Sequence, residues 1–297
     1  MKKLLIALLL ALLVPTIASA ELVFKKAEIY PSGFTSKEVF YLDDKAVATR
    51  SFNEDGSIAG ETGSIPDGRA LAYYESGKLE YEKDFAGGKE NGDVKRYYEN
   101  GKLMAEAAYK DGKLDGAMKG YYESGALNLE SKFVDGKVEG LEREYYEGGT
   151  LEAERPFEGG KLEGTMKTYY MSEKLESETA FKGGKKDGPS KDYYESGVLA
   201  GEWDYRNGEL DGICKTYYEN GTIENEFGYK EGGTDGSSRS YFENGVLERE
   251  SNYKAGKLDG KETVYWESGK LKTERVFEND ELQSEKNYDE NGNLVTE

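Results

Sequence analysis

Ten glutamates recur at near-constant spacing, and carboxylates are the residues of this chain best placed for acid–base chemistry. They are Glu82, Glu106, Glu130, Glu154, Glu178, Glu202, Glu226, Glu250, Glu274 and Glu297. Paired carboxylates held about 5–9.5 Å apart hydrolyse glycosides, one as acid and the other as base or nucleophile. Here the same carboxylate returns in every period, and an active site is not normally copied along a chain. At a spacing of ~10 Å two like charges in water repel by only ~0.4 kcal/mol before screening, so such a ladder is tolerable as a solvated face. A basic column at Lys95, Lys119, Arg143, Lys167, Lys191, Lys215 and Arg239 keeps the same period and offsets part of that charge across strands. The chain has no histidine, which removes the commonest general base and the commonest zinc ligand. No catalytic residue is assigned, and the chain reads as non-enzymatic.

Metal and thiol chemistry fare no better. Asp and Gly in the turns suggest calcium loops, but the Gly-Gly-x-Gly-x-Asp nonapeptide is absent and Lys89, Lys113, Lys137, Lys161, Lys185 and Lys257 in the same turns oppose a cation. Cys214 stands alone in the variable column of Val94, Met118 and Met166, which suits packing better than nucleophilic attack. As the only cysteine it can form no intramolecular disulfide. No cofactor and no metal is expected.

The glutamates belong to a larger repeat. Tyrosine stands at 73, 97, 121, 145, 169, 193, 217, 241 and 265, each 24 residues after the last, with Tyr288 following after 23. A second aromatic follows each of the first nine, with Phe242 and Trp266 replacing Tyr. A glycine comes next at 77, 101, 125, 149, 197, 221, 245, 269 and 292, the one gap being Glu173. A Leu or Ile column (Leu79 to Leu294), the glutamate, and a further aromatic column (Phe85 to Phe277) complete the unit YYExGxLxxExxFxxGKxDGxxKx. Alternation places Leu79, Tyr81, Lys83 and Phe85 on one face of a strand, and Lys95 with Tyr97 on one face of the next, Tyr98 pointing away. The glycines of Gly-Lys-x-Asp-Gly and of Glu-Ser-Gly or Glu-Asn-Gly supply the two reversals. Each unit is therefore a β-hairpin, and about nine in series predict an all-β fold: an elongated, twisted antiparallel ribbon rising roughly 10 Å per unit, in which neighbours bury each other's Leu and aromatic side chains.

Outside the repeat, residues 1–20 read as a signal peptide: Lys2 and Lys3, an apolar run from Leu4 to Val14, then Ala18-Ser19-Ala20 for cleavage. The chain is expected to be exported, to the periplasm, the outer surface or the medium, with no transmembrane segment after cleavage. Loss of two lysines takes the net charge from -19 to -21, which repels nucleic acid and anionic lipid, so neither is expected as a partner. Residues 21–70 read as an N-terminal cap with a degenerate repeat at Tyr41–Val47, and 71–297 as the repeats.

One column departs from its own pattern. Where other units carry Lys83, Ala107, Ser131, Arg155 and Thr179, two successive units carry Trp203 and Phe227, on the face assigned to Leu199 and Tyr205. The plainer reading is a locally thicker core. The sharper one makes Trp203, Tyr205 and Phe227 an exposed aromatic anchor for a partner, since such residues dominate binding hot spots.

The run ExxFxxGKxDGxxKxYYExGxL, with its turn at Gly112, Lys113, Asp115 and Gly116 and its Tyr pair followed by Gly and Leu, resembles the MORN repeat, specifically the bacterial variant of the YwqK-type antitoxin family. The resemblance covers residues 71–297 and implies a hairpin ribbon that binds proteins, with neutralisation of a toxin by direct binding as the family's role. A signal peptide fits an envelope or secreted interaction protein better than a cytoplasmic antitoxin, or an immunity protein that meets its toxin outside the inner membrane. The expected partner is thus a protein, a toxin or an envelope component. The second expectation is cell-wall or surface glycan, since short aromatic hairpins suit sugar faces, though the chain has only Trp203 and Trp266.

Overall fold

The structure is a computed structural model and describes residues 21–29 and 35–295. The signal segment 1–20 and the last glutamate of its column, Glu297, lie outside the described residues. Among the described residues there are 28 strands and no helix. The chain divides into two compact units, one running to Glu90 and the other from Asn91 onward.

In the first unit, β1 (Leu22–Ile29), β2 (Thr35–Leu42), β3 (Lys45–Phe52), β4 (Ile58–Gly63), β5 (Gly68–Tyr73) and β6 (Leu79–Ala86) lie in the order β4–β3–β2–β1–β5–β6. All neighbours are antiparallel except β1 and β5, which pair parallel through Leu22↔Ala70 and Val23↔Leu71. The β2–β3 reversal is two residues long, Asp43 and Asp44 at φ 47° and 61°, the positive-φ geometry that hairpin turns need. This unit has an apolar core of Leu22, Phe24, Phe40, Ala48, Ile65, Ala70, Ala72 and Phe85. Phe40 stacks on Phe24 at 5.7 Å and meets Phe85 edge-on at 5.5 Å. Arg50, 1% exposed, is buried beside it. Its guanidinium donates to Glu61, Glu90 and the Gly88 carbonyl, so the buried charge is paired and its donors used.

The second unit is an open antiparallel meander, hairpin after hairpin. Two irregularities recur in every period but the last. At the Tyr-Tyr reversal, Tyr193 faces Leu199 while Asp192 faces Gly201, so the strand after the turn carries one extra residue, a β-bulge. At the other reversal, Phe181 faces Lys186 and Thr179 faces Ser190, which leaves two extra residues around the Asp-Gly pair. In the last period Phe277 faces Leu282 and Val276 faces Ser284, a bulge of one residue, and this missing residue accounts for the 23-residue step to Tyr288.

The first bulge corrects the sequence-based face assignment. Leu79 sits opposite Tyr73, but Tyr81 sits opposite Ala72, so Leu79 leaves the face of Tyr81, Lys83 and Phe85. For the same reason Leu199 leaves the face of Trp203 and Tyr205 and joins that of Tyr193. The expected apolar core between repeats is also largely replaced. The described residues buried in this unit are mostly small or polar, among them Ser131, Ala153, Thr179, Ser190, Cys214 and Ser251, while the Leu and aromatic columns are half-buried. A sheet one layer thick has nothing to bury them under, and other interactions must hold the units together.

Candidate functional site

Register sorts the side chains of the second unit onto two faces of different character. On one, the glutamate, basic and first-tyrosine columns lock into a continuous row. Glu130 lies opposite Lys119 on one side and Arg143 on the other. Arg143 donates to Glu130 at 3.2 Å and to Glu154 at 3.0 Å, and Tyr145 donates its hydroxyl to Glu130 at 2.8 Å. The pattern returns along the chain: Tyr121 to Glu106 and Tyr217 to Glu202 at 2.8 Å, Tyr241 to Glu226 at 2.9 Å. Where Thr263 interrupts the basic column, Lys261 two residues earlier reaches Glu274 at 2.7 Å. The Tyr145 hydroxyl and then Arg143 hold the Glu130 carboxyl below its ordinary range. Burial and the adjacent glutamate push the Tyr121 and Tyr217 phenols up to about 12. Successive glutamates of this row are separated by a cation, save Glu250 and Glu274, which flank Thr263, and the carboxylates are engaged by neighbouring cations and tyrosine hydroxyls.

The turns are stitched from unit to unit as well. Tyr98, Tyr122, Tyr146, Tyr170, Tyr194 and Tyr218 each donate their hydroxyl to the backbone carbonyl of the tyrosine 23 residues on, at 2.6–2.8 Å. At the opposite edge, Glu139, Glu163, Asp187 and Asp235 each accept a backbone N–H from the turn 20 residues on. These turn carboxylates are therefore engaged as staples. Among the described residues no group of three or more His, Cys, Asp or Glu could hold a metal ion.

The other face changes from repeat to repeat. Ala105, Ala107, Met118 and Leu129 make it apolar; Glu142, Glu144 and Arg155 then make it charged, Arg155 lying 2.6 Å from Glu144. Next come hydroxyls and aromatics, then the serines Ser238 and Ser251, then ion pairs of Arg275 with Glu262 and Glu285. Trp203, Tyr205 and Phe227 stand in the central stretch, each half-buried.

Across that stretch Met166 faces Thr179, Thr179 faces Ser190, and Ser190 faces Trp203. Two small residues between two large ones leave a depression of about 400 Å³ lined by Met166, Ser177, Thr179, Phe181, Lys186, Ser190, Asp192, Trp203 and Tyr205. Thr179 and Ser190 form its floor, their hydroxyls 2.7 Å apart. Lys186 sits over the Tyr205 ring, 4.7 Å from its centre. Asp192 is exposed as a residue, yet partial loss of water around its carboxyl, and then the charge of Glu176, raise it above the ordinary range. The Trp203 benzo ring fills the space where a Cβ on residue 201 would stand, so only glycine allows this pose.

Of the three aromatics picked out in sequence, Trp203 and Tyr205 thus line one depression, and Phe227 does not. Phe227 faces Cys214, which is 2% exposed, and the pairing of Glu202 with Lys215 sets Cys214 beside Trp203. Burial raises the Cys214 thiol, so the nucleophilic thiolate is disfavoured there. Sequence reading missed Phe181, Asp192, the Thr179–Ser190 floor and the Gly201 that seats the indole. The paired departures Gly201 and Trp203 were the available signal.

These features define an open β-hairpin repeat protein whose units are joined by side-chain ladders. The model of the MORN repeat variant matches residues 66–86, 90–111, 138–158, 186–207, 210–231, 234–255 and 258–279, together just over half of the chain. The chain belongs to this family, a repeat type that is not catalytic in itself. The unmatched stretches, 112–137 and 159–185, form hairpins of the same register. None of the curated proteins matches the chain. Among solved structures, the crystal structures of TcdB2-TccC3-Cdc42 and TcdB2-TccC3 align with 89% of this chain at 13% identity, with TM-scores of 0.18 and 0.19. The aligned part spans 17% of those much longer chains.

Proposed function

We propose that this chain is an exported, non-enzymatic scaffold that binds a partner protein through the variable face of its repeats. One observation carries the reading: the first face repeats the same Glu–cation–Tyr row and spends its polar groups on its own neighbours, whereas the second face keeps one aromatic column and otherwise changes from unit to unit. A surface that only holds the array together has no need of such variation, and recognition does. Trp203, Tyr205 and Phe227 are the aromatic anchors of this face, half-exposed and backed by a rigid sheet. The basic start, apolar run and small residues of 1–20 support export. An antitoxin or immunity role is the special case in which the partner is a toxin.

The test is crosslinking capture from the cell envelope with the mature chain, carrying a photoreactive residue in place of Leu129 on the variable face or of Lys167 on the ladder face. The reading expects one protein crosslinked from position 129, not from 167, and lost in a Trp203→Ala, Phe227→Ala variant. Equal crosslinking from both faces, or capture indifferent to the double substitution, refutes it.

A further inference from the structure

We propose that the depression between Met166 and Trp203 is a binding site for a neutral saccharide, one sugar unit packing against the Trp203 indole with its hydroxyls among Asp192, Ser177 and Lys186. This does not depend on the protein-binding reading; it assigns a small-ligand site to one stretch of the variable face. The size fits, since small-molecule sites run from about 300 to 1,000 Å³, and this depression holds about 400 Å³.

Its lining selects by elimination. Three aromatic rings, Phe181, Trp203 and Tyr205, offer apolar surface. A purely apolar ligand would cover Asp192, Lys186 and Ser177 without partners, and unpaired polar groups are costly to bury. A cation would meet Lys186, already seated over Tyr205. A phosphate or other anion would enter a chain of net charge -19 and meet Asp192. The lone cation and lone carboxylate of the lining cancel, which leaves a neutral ligand with donors, acceptors and an apolar C–H face: a pyranose.

The site is also built from departures that nothing in the hairpin itself requires. Gly201 stands where other units have Ala105, Leu129, Ala153, Asn225 or Arg249, and only its missing Cβ lets the indole take its position. The neighbouring Thr179 and Ser190 are 8% and 4% exposed and satisfy each other by a 2.7 Å hydrogen bond, so the floor is polar yet closed.

The chain has only two tryptophans, Trp203 and Trp266, so the full chain carrying Trp266→Phe reports on this site alone. Its emission is followed during titration with cellobiose and with N,N′-diacetylchitobiose, with glycerol as a polyol control. The expected result is a saturable change with one of the disaccharides at a Kd of ~1 mM, weakened at least tenfold by Asp192→Ala and absent with glycerol. Asp192 is exposed, so its substitution is expected to leave the fold intact, which circular dichroism of the variant checks. Gly201→Ala, which displaces the indole, is expected to abolish the response as well. No saturable change with either disaccharide, an equal response to glycerol, or an unaltered Kd in Asp192→Ala would overturn the proposal. A partner protein crosslinked at the variable face alongside a silent titration would overturn this site alone and leave the scaffold reading standing.

Discussion

Glu173 is a natural experiment in turn strain. In the other units a glycine occupies this position at φ between 81° and 94°, and Glu173 holds the same turn at φ 65°. Its backbone donates to Tyr170 at 2.8 Å, as Gly197 does to Tyr194 at 2.7 Å, so the hydrogen bonding is unchanged and only the backbone conformation is unfavourable. A left-handed L-residue costs roughly 1–2 kcal/mol, and the greater freedom that glycine has when unfolded returns about 0.5–1 kcal/mol of that. Glu173→Gly is thus expected to stabilise this turn by about 0.7 kcal/mol, roughly threefold in its opening equilibrium. The reverse change supplies the control. A Cβ at Gly197 meets nothing within 4 Å, so Gly197→Glu costs backbone strain alone and is expected to destabilise its own turn by a similar amount. Repeat arrays need not unfold in one step, and the clean assay is native-state hydrogen exchange at the two turn amides. Exchange about threefold slower at residue 173 and about threefold faster at residue 197 is expected. Unchanged or faster exchange in Glu173→Gly would refute the idea that the turn imposes its geometry on the residue.

Three other expectations concern the ladders and the interior. Phe242 keeps the turn hydrogen bonds of its neighbours but has no hydroxyl for the next unit; Phe242→Tyr is expected to add about 1 kcal/mol and Tyr170→Phe to remove as much, read as opposite shifts in the urea midpoint, and equal midpoints would count against the stitch. Tyr121 and Tyr217 have phenols raised from 10.0 to about 12 in the folded chain. Their contribution is fully present below pH ~10 and is lost as pH rises towards ~12, because the unfolded chain gives up its protons first; phenolate absorbance should therefore lag in the folded protein relative to the same protein in urea, and coincident curves would exclude it. Cys214, 2% exposed and with its thiol raised by burial, should react with a thiol reagent only slowly until the sheet is opened by denaturant; rapid labelling of the native chain would place it at the surface.

The period, the two reversals and the pairing of the glutamate column with the basic column were all legible in the sequence, because each rests on residues that recur. Leu79 shows where legibility stopped. Its bulge adds one backbone residue without adding a recognisable side chain, so strict alternation carried Leu79 to the wrong face, and Leu199 with it. The depression was hidden for a related reason. Its floor is Thr179 and Ser190, whose two columns change from each unit to the next and carry no periodic signal. Arg50 and the parallel pairing of β1 with β5 depend on contacts between distant parts of the first unit, which local patterning does not encode. Trp203 could be singled out as an exception in its column, but what it packs against became clear only once Gly201 was placed beside it.

The 23-residue step from each Tyr hydroxyl to the next Tyr carbonyl gives the array a grammar. Each bond of that stitch spans 23 residues and the rungs of the Glu–cation row span 11 or 13, but both recur with the 24-residue period, so a whole 24-residue word can be removed or duplicated between residues 112 and 255 and the severed ends meet partners of the same kind. A slip of one residue inside that stretch would take each hydroxyl off its carbonyl and set each glutamate against a residue of the variable columns instead of its cation. Length within that stretch can therefore change only in whole words, and the part of each word left free to vary lies on the face that neither ladder uses.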